Sequence, residues 1–181
     1  DQVSVIHQCA AGIESLETQK HGLLQADLFV DCSGLKGVLI QQALGEKLLD
    51  YQKYLPNNRA VAIATVHKPN TKIASYTLSK ALDNGWIWAI PLQSRMGNGY
   101  VYSSDYISEQ QAEKRLREEL NEHDAPALHL RWTPGRISQH WKGNCLAIGL
   151  SQGFLEPLEA PMLNQTRQSC EAFIEYCEQE G

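Results

Sequence analysis

Between Arg59 and Ser103 four runs of β-branched and aromatic residues follow one another with only turn-length gaps. Arg59 to His67, Lys72 to Ser79, Gly85 to Leu92 and Gly97 to Ser103 are separated by Lys68-Pro69-Asn70, Asp83-Asn84-Gly85 and Met96-Gly97-Asn98-Gly99. Connections this short force neighbouring strands to run in opposite directions, so the run predicts an antiparallel meander. The period then changes. Ser108 stands three residues before Gln111, a capping-box pattern, and Ala112, Leu116 and Leu120 follow at helical spacing with charged residues covering the other faces. Leu128 to Trp132, Arg136 to His140 and Cys145 to Leu150 predict three more strands. A last helix is expected from Pro161, a residue suited to the first helical position, to about Glu178. Its stripe is Met162, Thr166, Cys170, Phe173, Ile174 and Cys177.

The N-terminal part predicts strands at Val3 to His7 and Ala26 to Asp31, then a short helix from Leu35 to Leu44 closed by Gly45. The fold class expected is α+β. At 181 residues the chain is long enough for one domain with a real core. A net charge of −5, with the acids dispersed, lacks the basic footprint of a nucleic-acid partner. No apolar run approaches the ~20 residues that span a membrane, and Asp1-Gln2-Val3-Ser4 has no signal-peptide character. The five cysteines are odd in number and contain no Cys-x-x-Cys, which reads as free thiols in a reducing, cytoplasmic compartment. The histidines show no metal-ligand spacing, so no metal is expected.

Two stretches carry chemistry. In the first, a strand ending at Gly149 crosses Leu150-Ser151-Gln152-Gly153 and passes Glu156 and Glu159 into a helix. Such a junction is either an ordinary β-to-α turn or a place where backbone N–H groups and a helix start converge on a ligand. In the second, Trp86, Trp88 and Ile90 alternate along one strand and therefore share a face. They form either core packing or an aromatic wall beside a flat substrate or cofactor.

Trp86-x-Trp88-x-Ile90-Pro91 resembles the Trp-x-Trp-x-Ile-Pro signature of the flavin-dependent halogenases, the tryptophan halogenase family. Three further stretches agree in order: 27–34 (Asp-Leu-Phe-Val-Asp-Cys-Ser-Gly), 97–104 (Gly-Asn-Gly-Tyr-Val-Tyr-Ser-Ser) and 149–159 (Gly-Leu-Ser-Gln-Gly-Phe-Leu-Glu-Pro-Leu-Glu). The resemblance covers essentially the whole chain. It implies a partial FAD-binding fold, glutathione-reductase-like, of the monooxygenase and halogenase type. About 1–45 and 141–181 would belong to the FAD-binding domain, with a substrate-side antiparallel sheet, about 55–140, inserted between them. It implies reduced FAD from a separate flavin reductase, oxygen, a chloride or bromide ion, and a small aromatic substrate such as tryptophan or another indole. Glu159 matches the family's glutamate, which orients the halogenating species or assists proton removal. Gly149, Leu150 and Leu163 match the flavin side. Trp86, Trp88 and Ile90 match the wall between flavin and substrate.

The chain also departs from the family. It has no Gly-x-Gly-x-x-Gly turn for a pyrophosphate. The family's catalytic lysine belongs to an N-terminal segment that this sequence does not contain, so none of its lysines inherits that role. The expectation is an internal fragment, inactive alone. Where many members hold the halide with the backbone of a Ser-Thr-Gly run, this chain has Ala160-Pro161-Met162-Leu163, and Pro161 offers no N–H. The N–H groups of Met162 and Leu163, at a helix start, are the remaining donors for a halide. Two alternatives remain: an aromatic hydroxylase of the same superfamily and a stand-alone binding domain.

Overall fold

The computed structural model describes residues 2–67 and 72–180; the expected turn Lys68-Pro69-Asn70 lies outside them. The chain divides into two units, Asp1–Tyr51 with Pro134–Gly181, and Gln52–Thr133.

The first unit opens with a three-stranded antiparallel sheet of β1 (Val3–Cys9), β2 (Gly12–Thr18) and β3 (Gly22–Leu24). The first strand is longer than its sequence signal; β2 lacked a signal because polar residues interrupt its apolar ones, and β3 because it is only three residues long. Ile13 and Leu16 point inward, join Phe29, Leu39, Ile40, Ile137 and Cys145, and make this unit's core. The strand expected over Ala26 to Asp31 contracts to β4 (Phe29–Asp31), since its partner strand is only three residues long. A short β5 (Leu48–Asp50) follows later.

The helix expected over Leu35 to Leu44 is not α-helical. A 3-10 turn, Gly34–Lys36, ends at left-handed Gly37, and a π-helical turn, Val38–Ala43, follows. Its wide bonds run from Gln42 N to Gly37 O and from Leu44 N to Leu39 O. Side chains cap its start: the Asp31 carboxylate takes the N–H groups of Leu39 and Ile40, and the Ser33 hydroxyl takes that of Val38. These first-turn donors have no partner within a helix of any kind, so the caps hold the start of the turn in place.

In the second unit β6 (Arg59–Thr65), β7 (Leu78–Leu82), β8 (Gly85–Pro91), β9 (Met96–Tyr102) and β10 (Ala127–Arg131) form one antiparallel sheet, ordered β10-β6-β9-β8-β7. The meander holds for β7, β8 and β9, but β6 lies beside β9 rather than β7. The strand expected over Lys72 to Ser79 sits later, at Leu78–Leu82, because the tight Asp83-Asn84 turn pairs Leu82 directly with Gly85. Helix α1 (Glu109–Leu120) starts with the expected reciprocal cap between Ser108 and Gln111 and ends at left-handed Asn121. Ala112 and Leu116 are fully buried against Val61, Ile63, Ile87, Tyr100 and Tyr102, so α1 covers one face of the sheet.

Back in the first unit, β11 (Gly135–Ile137) lies between β5 and the later β14. It stops before the expected His140 because Ser138 and Gln139 turn to Lys47 O and the Glu46 carboxylate. The hairpin of β12 (Trp141–Lys142) and β13 (Cys145–Ala147) places β13 parallel to β4. The strand expected to reach Leu150 ends at Ala147, where left-handed Gly149 redirects the chain. After β14 (Gly153–Phe154), α2 runs over Pro161–Glu180. Its expected stripe is buried at Met162 and half-buried at Thr166, Cys170 and Phe173, whereas Ile174 and Cys177 are exposed.

Candidate functional site

The first-unit part of the site grows from the parallel pair β4 and β13. Both strands end on the same side, at Cys32-Ser33-Gly34 and at Ile148-Gly149. The carboxyl ends of parallel strands are where ligands bind in open α/β sheets. Gly34 and Gly149 are left-handed, with φ of 72° and 75°. A Cβ on Gly34 would meet nothing within 4 Å, and one on Gly149 only the Thr166 hydroxyl at 4.0 Å, so both backbones are bare toward open space. Asp31 fixes the first loop from below. Its second carboxylate oxygen takes Leu39 and Ile40, and the first takes the Ser33 N–H at 2.9 Å and the Ser33 hydroxyl at 2.6 Å. The buried Ser151 hydroxyl donates to Asp31 O, tying the second loop to the first.

The chain then passes Glu156 and Glu159 into α2. The helix is held to the Gly149–Ser151 turn through Gln152, whose amide donates to the Ser169 hydroxyl at 3.0 Å. Glu159 and Ala160 are exposed and both left-handed, with φ of 59° and 49°. Side chains beyond Cβ make that conformation costly, and such residues concentrate at functional sites. The Leu163 N–H, expected to be available to a halide, is used by the turn itself and donates to Ala160 O at 3.0 Å. Met162 is buried, while the Leu163 side chain is 74% exposed and that of Leu150 40% exposed.

The second-unit part is the sheet face opposite α1. Strand pairing puts Trp86, Trp88 and Ile90 on it, opposite Val101, Gly99 and Gly97 of β9, which in turn face Ala60, Ala62 and Ala64 of β6. Leu130 and Leu128 of β10 continue the same face. The two indoles are half-buried, 6.1 Å apart between centroids and tilted by 59°. A groove of about 350 Å³ lies on the α1 side instead, lined by Leu82, Asn84, Tyr100, Tyr106, Ile107 and Lys114; no residue singled out from the sequence reaches it.

Trp86, Trp88 and Ile90 thus stand together in one unit, and Gly149, Leu150, Glu159, Pro161, Met162 and Leu163 belong to the other. Asp31 and Ser33, within the matching stretch 27–34, organise the first loop. Glu46 was missed. It accepts from the Ser138 hydroxyl and the Gln139 N–H, lies 3.3 Å from the Lys142 ammonium, and is held below the usual carboxylate range chiefly by the Ser138 hydrogen bond. An isolated glutamate among loop residues carries no sequence signal for such a role. Gly99 was read within a turn, within the strand Gly97 to Ser103 and within the matching stretch 97–104, but not as a site residue. Among the described residues no group of histidine, cysteine, aspartate or glutamate is placed to hold a metal, and no helix is long and apolar enough to cross a membrane.

Bare left-handed turns at the ends of parallel strands in one unit, and an indole ridge on the sheet of the other, are the features the site offers. The tryptophan halogenase family model matches residues 2–179, and the chain belongs to that family. It is 48% identical over 151 residues to tryptophan 6-halogenase SttH of Streptomyces toxytricini, covering 82% of this chain and 29% of that protein. It is 40% identical over 164 residues to tryptophan 7-halogenase RebH of Lentzea aerocolonigenes, covering 88% of this chain and 31% of that protein. The crystal structure of SttH superposes with a TM-score of 0.92 at 42% identity, over 97% of this chain and 35% of that one. BrvH, a flavin-dependent halogenase from Brevundimonas sp. BAL3, gives a TM-score of 0.87 at 37% identity, over 94% and 35%. The chain therefore spans about a third of the length of the relatives it matches.

Proposed function

We propose that this chain is part of a flavin-dependent halogenase acting on tryptophan or another aromatic ring. The observation that carries the reading is the Trp86–Trp88 ridge on β8, in a chain of this family. The first unit is the flavin side and the second the substrate side. Gly34 and Gly149 fit a flavin, because two bare left-handed turns at the ends of parallel strands let a planar ring approach the backbone. The pyrophosphate turn is not among these residues. FAD, reduced by a separate reductase, supplies the means of oxidising chloride or bromide with oxygen.

The chain's own residues do the rest. Gly149 and Leu150 border the flavin, with Leu163 on α2 beside them. Met162 carries the halide reading, since the Leu163 N–H is engaged and Pro161 has none. Trp86, Trp88 and Ile90 form an apolar wall on the substrate side that keeps water from the aromatic ring. In the substitution a ring carbon gains halogen and loses its proton, and the Glu159 carboxylate orients the halogenating species or accepts that proton. The free thiols support a reducing, cytoplasmic setting. No nucleic acid or membrane enters this reading.

The test is the complete enzyme with FAD, a flavin reductase, bromide and an indole substrate. Brominated product is expected, and Glu159→Gln is expected to lower it about 100-fold while flavin reoxidation continues. Hydroxylated product without halogen would favour the aromatic monooxygenase instead.

A further inference from the structure

Gly99 is buried in the middle of β9, directly opposite Trp88. Its backbone is not in the left-handed region, unlike that of Gly34 or Gly149. Conformational freedom is therefore not what this position needs from glycine. Space is. A Cβ built there would lie 2.0 Å from Cζ2 and 2.1 Å from Cη2 of Trp88, well inside any real contact. The six-membered ring of Trp88 lies on the backbone of Gly99, and the absent side chain is the seat.

The rest of this face follows the same rule. Gly97 is opposite Ile90, and Ala62 and Ala64 face Gly99 and Gly97 from β6. The β9 strand is thus bare where the two distal ridge residues stand and carries Val101 only opposite Trp86. Glycine in a strand interior weakens it, so its presence opposite a large side chain marks a close approach. Trp88 has two χ angles, and the close approach of the strand beneath limits where its ring can stand. A methyl group at Gly99 would lift the ring off the sheet by about 1 Å or more, away from Trp86 and into the space in front of the ridge.

We propose that Gly99 is a positioning residue: by seating the Trp88 indole flat on β9 it sets the position of the aromatic ridge and so the yield of halogenated product for each flavin oxidised. The catalytic half of this inference rests on the halogenase reading; the seat itself does not. Displacements of this size in a site wall cost one to two orders of magnitude in productive turnover.

The experiment compares wild type, Gly99→Ala, Trp88→Leu and Gly99→Ala/Trp88→Leu in the complete enzyme with FAD, reductase, bromide and an indole substrate. Two readouts are taken: the far-ultraviolet exciton couplet from the tilted Trp86–Trp88 pair, and brominated product per flavin reoxidised. Gly99→Ala is expected to collapse the couplet and lower product per flavin by about 10-fold or more, with flavin reoxidation retained. In the Trp88→Leu background, which has no ring to seat, the same substitution is expected to change product per flavin less than 2-fold. An unchanged couplet in Gly99→Ala would overturn the seat. A collapsed couplet with unchanged product per flavin would overturn the positioning role. So would an equal loss in both backgrounds, which would mark a general packing defect. Wild type that makes no brominated product would refute the halogenase reading and with it the positioning role, while the couplet would still decide the seat.

Discussion

Asp31 and Ile40 are joined at 2.8 Å, the buried carboxylate of one accepting the backbone N–H of the other. The same carboxylate holds Leu39 and Ser33, so one side chain both ends β4 and caps the turn that follows. A carboxylate offers only acceptors, and every neighbour here is a donor. Asp31→Asn turns one of those acceptors into an N–H₂ facing donors. The variant is expected to lose about 3 kcal/mol of folding stability. Urea unfolding of the chain followed by circular dichroism checks it, and a loss under 1 kcal/mol would mean the loop has another anchor.

Glu46 gives the acid limb of stability a named source. Its folded carboxyl is held below the usual range by the Ser138 hydroxyl, the Gln139 N–H and Lys142. A carboxyl depressed on folding stabilises fully above its unfolded value of about 4.3 and progressively less as pH falls through the folded value. Glu46→Gln is therefore expected to cost about 1–3 kcal/mol near pH 7, with the gap to wild type closing toward acid. Unfolding curves at a series of pH values below neutrality measure it. A gap that is constant with pH would remove Glu46 from that role.

Much of this was legible in the sequence where a local rule dominates. The Ser108–Gln111 cap, the alternation in β8 and the tight turn at Asp83-Asn84 each specify their own geometry over a few residues. Long-range pairing was not legible. Nothing near Arg59 indicates that β6 lies beside β9, and the length of β4 is set by β13, more than a hundred residues away. The turn over 34–43 was misjudged because apolar spacing looks alike in α- and π-helical segments, and the side chains that cap its start, Asp31 and Ser33, stand in the preceding strand and loop. The site split in the same way. The indole ridge follows from a period of two, whereas the glycine that seats it is distinguished only by what stands opposite.

Ala160 follows Glu159 in a second left-handed conformation just before α2 begins. The cost of that conformation grows with branching at Cβ. Ala160→Val is expected to destabilise by about 1–2 kcal/mol, and Ala160→Gly by less than about 0.5 kcal/mol or not at all, because relief of strain offsets the looser unfolded chain. Thermal denaturation of the two variants side by side provides the check; equal effects would mean that the turn relaxes at no cost.

Cys145, on β13 beside β4, is fully buried, and burial, with Asp31 nearby, pushes its thiol up to about 11. Cys9 and Cys177 are exposed. Alkylation needs the thiolate, so brief iodoacetamide treatment near pH 8 is expected to label Cys9 and Cys177 and to spare Cys145 until the chain unfolds. The sign for stability follows from the same shift. Between the ordinary thiol value and about 11 the unfolded chain has lost the proton that the folded chain keeps, so stability falls as pH rises through that interval. Cys145→Ala removes that alkaline slope while leaving a small cavity whose cost is independent of pH. Peptide mapping by mass spectrometry after a timed label reads the first effect. Denaturation at several alkaline pH values reads the second, and labelling of Cys145 at the rate of Cys9 in the folded chain would contradict both.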